Sequence, residues 1–461
     1  MKKRIIKFKQ TLPAYIILLI ISASISIASK AQSTYATGVT VYDPAKAYNS
    51  YIIFSSPDHK THLIDMNGNE VHSWNYEGFP GELLDPAVTN GQKGHVLVQY
   101  ESIASKGITE TPGKNSIFSN KTIAELDWSG NVVWKFGEKA PNGTARQHHD
   151  WQRLPNGNTL VLANQLIPIP GFKLPKLLDD VVYEVNPAGD IVWSWKASDH
   201  LTEFGFTLEE LELVKNSPDA DYLHVNNMTS VGPNHWFDEG DKRFDPDNIL
   251  IDSRNANFII IIDKKTGKVV WNLGPNYKPI DVKNDSFPRP VDQISGQHDV
   301  HLIEKGLPGA GNLIVFDNQG EAGYPPAALQ VLPGSRVLEI NPVTKQILWK
   351  YSGESSGRPS WTFYSSFISS ARRLPNGNTL IDEGMHGRFF QVTPQGEIVW
   401  EYVNPYFALS PIGGSNFATP VYTNWVYRAQ PVPYDWVPDG TPHAENAVKA
   451  TDITKFTVPN N

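Results

Sequence analysis

Histidines recur at one position of a repeating strand-and-turn pattern in this chain, and their spacing is where chemistry would be sought. The segment Leu-Pro-Asn-Gly-Asn occurs at Leu154–Asn158 and again at Leu374–Asn378. Asp245-Pro246-Asp247-Asn248 and Gly309-Ala310-Gly311-Asn312 occupy equivalent turns. Each turn would join two antiparallel strands. Reading back to the start of the first strand reaches His149, His224 and His298, with Ser369 in the last copy. Reading six residues forward from the turn asparagine reaches Asn164, Arg254 and Asn318, with Gly384 in the last copy. In antiparallel neighbours, the start of one strand and the end of the next share a rim. Three imidazoles, two amides and a guanidinium would therefore converge.

Imidazole can attack an electrophile, shuttle a proton or ligate a metal, and a guanidinium suits an oxyanion. Three chemistries fit. A histidine could carry a transferred group while Arg254 and the other histidines neutralise developing charge. Three histidines could instead hold a divalent metal with one position open. The ring could also simply bind an anionic ligand. Any one histidine reads more simply as a satisfied polar residue under a loop; the shared register sets these three apart. His148 either flanks the site or belongs to a loop. His386 and Arg388, in Gly384-Met385-His386-Gly387-Arg388, would overhang the same rim. Trp361, with Trp151, Trp236 and Phe363, offers aromatic surface for a stacked ring or for loop packing.

The elements that must position these groups are six hairpins, each leading into an apolar strand that carries a tryptophan. They end at Trp74, Trp134, Trp193, Trp271, Trp349 and Trp400. A period of roughly 50 to 80 residues suits one four-stranded sheet with loops of varied length. The expected fold is all-β: a six-bladed β-propeller over residues 51–436, followed by a C-terminal tail over 437–461. The first blade shows three strands before its tryptophan, Tyr51–Ser55, Thr61–Met66 and Glu70–Trp74. Its innermost strand would come from the other end of the chain, where Trp425-Val426-Tyr427-Arg428 is the best candidate. Such closure removes an exposed edge. One helix is expected, over Thr207–Val214.

The termini and composition bound the setting. Lys2, Lys3, Arg4, Lys7 and Lys9 precede an apolar run from Tyr15 to Ala28, and small residues Ser29 and Ala31 follow. That pattern predicts a signal peptide over 1–31, an exported protein in the periplasm or outside the cell, and an N-terminal segment over 32–50. A retained membrane anchor is the alternative, but the run is short and serine-diluted, so no stable membrane insertion is expected after processing. Residues 1–31 hold six basic residues and no acidic ones, so their removal takes the formal charge from −8 to −14. Such a surface disfavours nucleic acid as a partner. With no cysteine in the chain, disulfides and thiolate metal sites are excluded.

The motifs His224-Val225-Asn226-Asn227, Ser253-Arg254, Gln297-His298-Asp299 and Phe316-Asp317-Asn318, spaced along a six-bladed propeller, resemble the bacterial arylsulfate sulfotransferase family. The resemblance runs from about Tyr51 to Trp436. It implies periplasmic transfer of a sulfuryl group from an aryl sulfate to a phenolic acceptor through a sulfated histidine, without a cofactor or nucleotide donor. It matches His224 and His298 to sulfate-contacting histidines. Two positions depart from the pattern. Gly320-Glu321-Ala322-Gly323 stands where the family has a catalytic arginine, and Pro359-Ser360-Trp361-Thr362-Phe363 holds no histidine before Tyr364-Ser365. His149, His298 or His386 would then be the nucleophile. The expected site is His149, His224, His298 and Arg254 for catalysis, with Asn318, Asn164, His386, Arg388 and Trp361 binding substrate and no metal. Two rival readings are a metal-dependent hydrolase or lyase on acidic or sulfated glycans, and a non-catalytic binding propeller. Oligomeric state is left open.

Overall fold

The repeated tryptophan turns out to be the joint between sheets. In the computed structural model, Trp74 Nε1 donates to the carbonyl of Asp127 at 3.1 Å, in the hairpin turn of the next sheet. Trp193, Trp271 and Trp349 do the same to Lys264, Pro342 and Pro394, at 3.0, 2.8 and 2.9 Å. Trp400 closes the circle by donating to Met66 at 2.8 Å. Trp134 breaks the rule: its buried Nε1 finds no hydrogen-bond partner among the described residues, although Arg153 lies over its ring. The turns suit their task because a short polar side chain caps each from within: Asp or Asn in five of them and Thr393 in the last. Asp127 Oδ1 accepts from Asn131 N, and Asn341 Oδ1 accepts from Val343 and Thr344 N.

The structure describes residues 36–102, 120–277, 289–320, 322–324, 334–410 and 421–451. The chain divides into two units, Met1–Gln32, which lies outside the described residues together with the expected signal peptide, and Ser33–Asn461. Among the described residues no helix is long and apolar enough to cross a membrane. Six antiparallel sheets carry the fold; five hold four meander strands consecutive in sequence, and the first blade holds three, at 51–56, 60–64 and 70–74, joined by a strand from the C-terminal end. The second blade comprises 82–83, 96–102, 120–126 and 132–136; the third, 147–153, 159–167, 177–185 and 191–196. The fourth comprises 225–230, 249–253, 258–262 and 269–273; the fifth, 298–302, 313–317, 336–340 and 346–351. The sixth comprises 370–373, 379–383, 388–392 and 398–403. This is the six-bladed propeller expected from the repeats. Its apolar core lies between sheets, where two neighbouring faces interdigitate: Phe54, Phe389, Trp400 and Tyr402, for example, join the sixth blade to the first.

Ring closure occurs as expected but four residues later. Ala429–Val432, not Trp425–Arg428, pairs with Tyr51–Phe54 to complete the first blade. Pro431 sits in this innermost strand, a position open to proline because one strand edge faces the axis. Residues 425–428 instead cross the axial channel. Trp425 and Tyr427 pack with Phe79 and Ile368. The Arg428 guanidinium binds Asp150 through two 2.9 Å hydrogen bonds, and its Nε lies 3.0 Å from Asp299 Oδ1. Two features were not foreseen. Gly38–Tyr42 adds a fifth strand outside the sixth blade, and Val448 bridges to Tyr42, pinning residues read as tail. The helix spans Leu208–Lys215, with Thr207 and Glu210 forming a reciprocal capping box.

Candidate active site

Each histidine-bearing blade has a bulge at the start of its inner strand. In the third blade His148, His149 and Asp150 stand opposite Leu162 alone, since Trp151 pairs Val161 and Gln147 pairs Ala163. The fourth breaks register between Val225 and Asn227, and the fifth between His298 and His301. The sixth, which has Ser369 at this register, pairs without a shift. Bulges re-aim side chains and often border functional sites. His149 and His224 take the left-handed backbone region, with φ of 58° and 51°, which non-glycine residues adopt only where the surroundings impose it.

The expected convergence of imidazoles is present. The His149 and His224 rings lie 4.6 Å apart, centroid to centroid, and nearly perpendicular. Tyr427 faces both His149, at 5.7 Å, and His298, at 6.4 Å, while Phe79 closes one side of His149 at 5.0 Å. Arg254 is tied into the group through its backbone N–H, which donates to the His224 carbonyl at 3.1 Å. Burial holds the His149 imidazole well below its usual range, and the charges of His224, His148, His298 and Arg254 push it further down. Burial and then the Arg254 charge do the same to His298. Both rings are therefore neutral at physiological pH.

The partners of each ring differ. His149 Nδ1 lies 2.8 Å from His148 Nδ1, and His148 Nε2 lies 3.2 Å from Asp180 Oδ1. His224 Nδ1 lies 2.6 Å from Asp221 Oδ2. Burial pushes Asp221 up, but the His224, His148 and Arg254 charges outweigh it and keep the group an acceptor below the usual carboxylate range. His298 is different: its Nδ1 donates to Asn318 Oδ1 at 2.8 Å and approaches the Gly296 carbonyl at 3.0 Å. Its Nε2 accepts from Ile368 N–H at 3.1 Å. Both nitrogens of His298 are thus engaged inside the fold. Among the described residues no group of three or more His, Cys, Asp or Glu is arranged to hold a metal.

Several expected substrate contacts lie elsewhere. Asn318 is fully buried and consumed in structure: its Nδ2 donates to the carbonyls of Ser365 and Ile368. The Asn164 side chain is taken up by Arg146, accepting from its Nε and Nη2. It lines a cleft of about 140 Å³ with Arg146, Gln165 and Tyr183. Arg388 does not overhang the mouth; it is buried within the sixth blade, paired with Glu383 and Glu401. Trp361 stands 58% exposed on the turn Ser360–Thr362, outside the hydrogen-bonded cluster. His386 is half-buried on the turn Gly384–His386 at the same rim, with its carbonyl accepting from Asn424. Sequence reasoning missed Asp180 and Asp221 and left His148 between flanking the site and belonging to a loop. The available signal was the acidic pair Asp179-Asp180 within the largely buried strand Leu177–Val185.

A family model described as "Arylsulfotransferase (ASST)" matches residues 58–406. No curated protein matches the chain. Among solved structures, a protein of unknown function from Bacteroides caccae is similar at 11% identity, covering 84% of this chain and 99% of its own, with a TM-score of 0.46. A virginiamycin B lyase from Staphylococcus aureus is similar at 13% identity, covering 79% and 86%, with a TM-score of 0.35. The Dos1 propeller is similar at 10% identity, covering 87% and 86%, with a TM-score of 0.35.

Proposed function

The chain belongs to the arylsulfotransferase family, and on that premise we propose that it moves a sulfuryl group from an aryl sulfate to a phenolic acceptor at the histidine cluster. The observation that carries this reading is the 4.6 Å approach of His149 to His224 beside the Arg254 charge. Neutral imidazole is the form that can attack sulfur. The sulfonate oxygens gain charge as the transfer proceeds, and Arg254, whose charge acts on both His149 and His298, would stabilise it. His224, backed by the Asp221 carboxylate, is placed to give a proton to the departing phenolate and take one from the incoming phenol. His298 and Asn318 act by position, since together they hold the segment Ser365–Ile368 against the site. With export directed by residues 1–31, the reaction would run outside the cytoplasm. It needs no nucleotide donor.

Steady-state kinetics with 4-nitrophenyl sulfate and phenol test the reading. Parallel double-reciprocal lines, with 4-nitrophenol release dependent on acceptor, are expected. No cleavage of any aryl sulfate across a donor series would overturn it.

A further inference from the structure

The site histidines sit on separate blades, so their spacing depends on whatever spans the axis between them. Residues 425–428, from the far end of the chain, span it. We infer that Tyr427 and Arg428 are positioning residues for the histidine cluster. They bind the residues that follow each histidine and so set the distance between the imidazoles. The inference rests on the sulfuryl-transfer reading above and names what keeps its site in shape.

Arg428 is buried and reaches three blades. Its Nη1 and Nη2 donate to Asp150 in the third blade, both at 2.9 Å. Nη2 also donates to Asn227 Oδ1 in the fourth, at 3.2 Å. Nε lies 3.0 Å from Asp299 Oδ1 in the fifth. Asp150 directly follows His149, and Asp299 directly follows His298. Each carboxylate is also fixed to the next blade. Asp150 Oδ2 accepts from Met228 N–H and Asp299 Oδ2 from Ala371 N–H, both at 3.1 Å.

Tyr427 completes the crossing. Its hydroxyl donates at 2.5 Å to the carbonyl of Asn226, two residues after His224. Its own carbonyl accepts at 3.3 Å from the N–H of Ser369, the sixth-blade residue at the histidine register. Its ring faces both His149 and His298. Two consecutive residues thus hold four blades at the rim where the histidines stand. The backbone there needs holding. His149 and Asp299 take left-handed conformations, with φ of 58° and 57°, and such residues persist only where their surroundings over-determine them. A lysine at 428 would keep the charge but lose the planar fork that serves two carboxylates and an amide together.

Burst kinetics on full-length variants, run well below each variant's unfolding transition, test the inference. Arg428→Lys should slow the 4-nitrophenol burst about a hundredfold, with half-saturating donor within about threefold of the unaltered protein. Tyr427→Phe keeps the ring and removes one hydrogen bond, so it should slow the burst about tenfold. Trp271→Phe, on the outermost strand of the fourth blade, shows what lost stability alone does, and should leave the burst rate unchanged. Independently of turnover, the His149 and His298 Cε1–H resonances should move in Arg428→Lys, while that of His200, stacked on Trp195, stays in place. Full-rate bursts in both channel variants, or unmoved His149 and His298 resonances, would overturn the inference. An equal slowing in Trp271→Phe would do the same. If Arg428→Lys does not fold, Tyr427→Phe decides by the same two readouts. No burst and no turnover in the unaltered protein would instead defeat the sulfuryl-transfer reading, and the resonances would still decide the positioning.

Discussion

His149 and His298 are buried as neutral imidazoles, and that has a consequence for stability as well as for chemistry. In the unfolded chain each would titrate near pH 6.5. In the fold, burial and neighbouring positive charge hold both well below that. Between about pH 6.5 and the folded values, the unfolded state binds protons that the native state does not. Stability therefore stays level above this window and falls as pH drops through it. His298→Gln should lower Tm at pH 7.5, because it disturbs the bonds to Asn318 and Ile368, yet flatten the decline in Tm between pH 6.5 and 5. A decline as steep as that of the unaltered protein would show that His298 is not buried neutral. The register of His149, His224 and His298 was legible because the repeat fixes where inner strands begin. The carboxylates behind them were not, because Asp180 reaches His148 from the third strand of the blade and Asp221 reaches His224 from a loop. Asn318 sat at the right rim but is spent on His298, Ser365 and Ile368, and Asn164 on Arg146, which register alone cannot distinguish.

At the scale of single strands and hairpins, the tryptophan joint can be weighed by substitution. Trp271→Phe keeps most of the ring but strands the Pro342 carbonyl, so it should cost about 1–2 kcal/mol in urea unfolding. Trp134→Phe removes an indole N–H that already lacks a hydrogen-bond partner among the described residues, so its cost should be smaller by about 1 kcal/mol. Equal losses would mean the hydrogen bond contributes nothing beyond packing. The hairpins themselves could be read from sequence, since Asp, Asn and Gly in the turns and alternating apolar residues define them locally. The bulges could not. They come from left-handed residues such as His149 and Asp299, whose side chains give no advance sign of that backbone. The closing strand was displaced for a related reason. Val426 and Tyr427 look like strand residues, yet the 425–428 stretch crosses the channel because Arg428 is drawn to Asp150 and Asp299.

For the molecule as a whole, closure by Ala429–Val432 makes the ring depend on the far end of the chain. A protein ending at Arg428 should lose its cooperative unfolding transition, since both the innermost strand of the first blade and the Val448 bridge are removed. A retained transition near the full-length Tm would show that closure is dispensable. The channel supplies a second test, because Asp150 takes both terminal nitrogens of the buried Arg428. Asp150→Ala leaves that guanidinium with Asp299 and the Asn227 amide oxygen, and should cost about 3–5 kcal/mol by denaturant unfolding. On the proposed reading, the mouth above this channel carries a sulfuryl group on the protein between donor and acceptor. Mixing enzyme with excess 4-nitrophenyl sulfate in the absence of any phenol tests it most directly. A burst approaching one 4-nitrophenol per chain is expected, followed by near-silence until acceptor is added. Steady release with no burst, indifferent to acceptor, would contradict it.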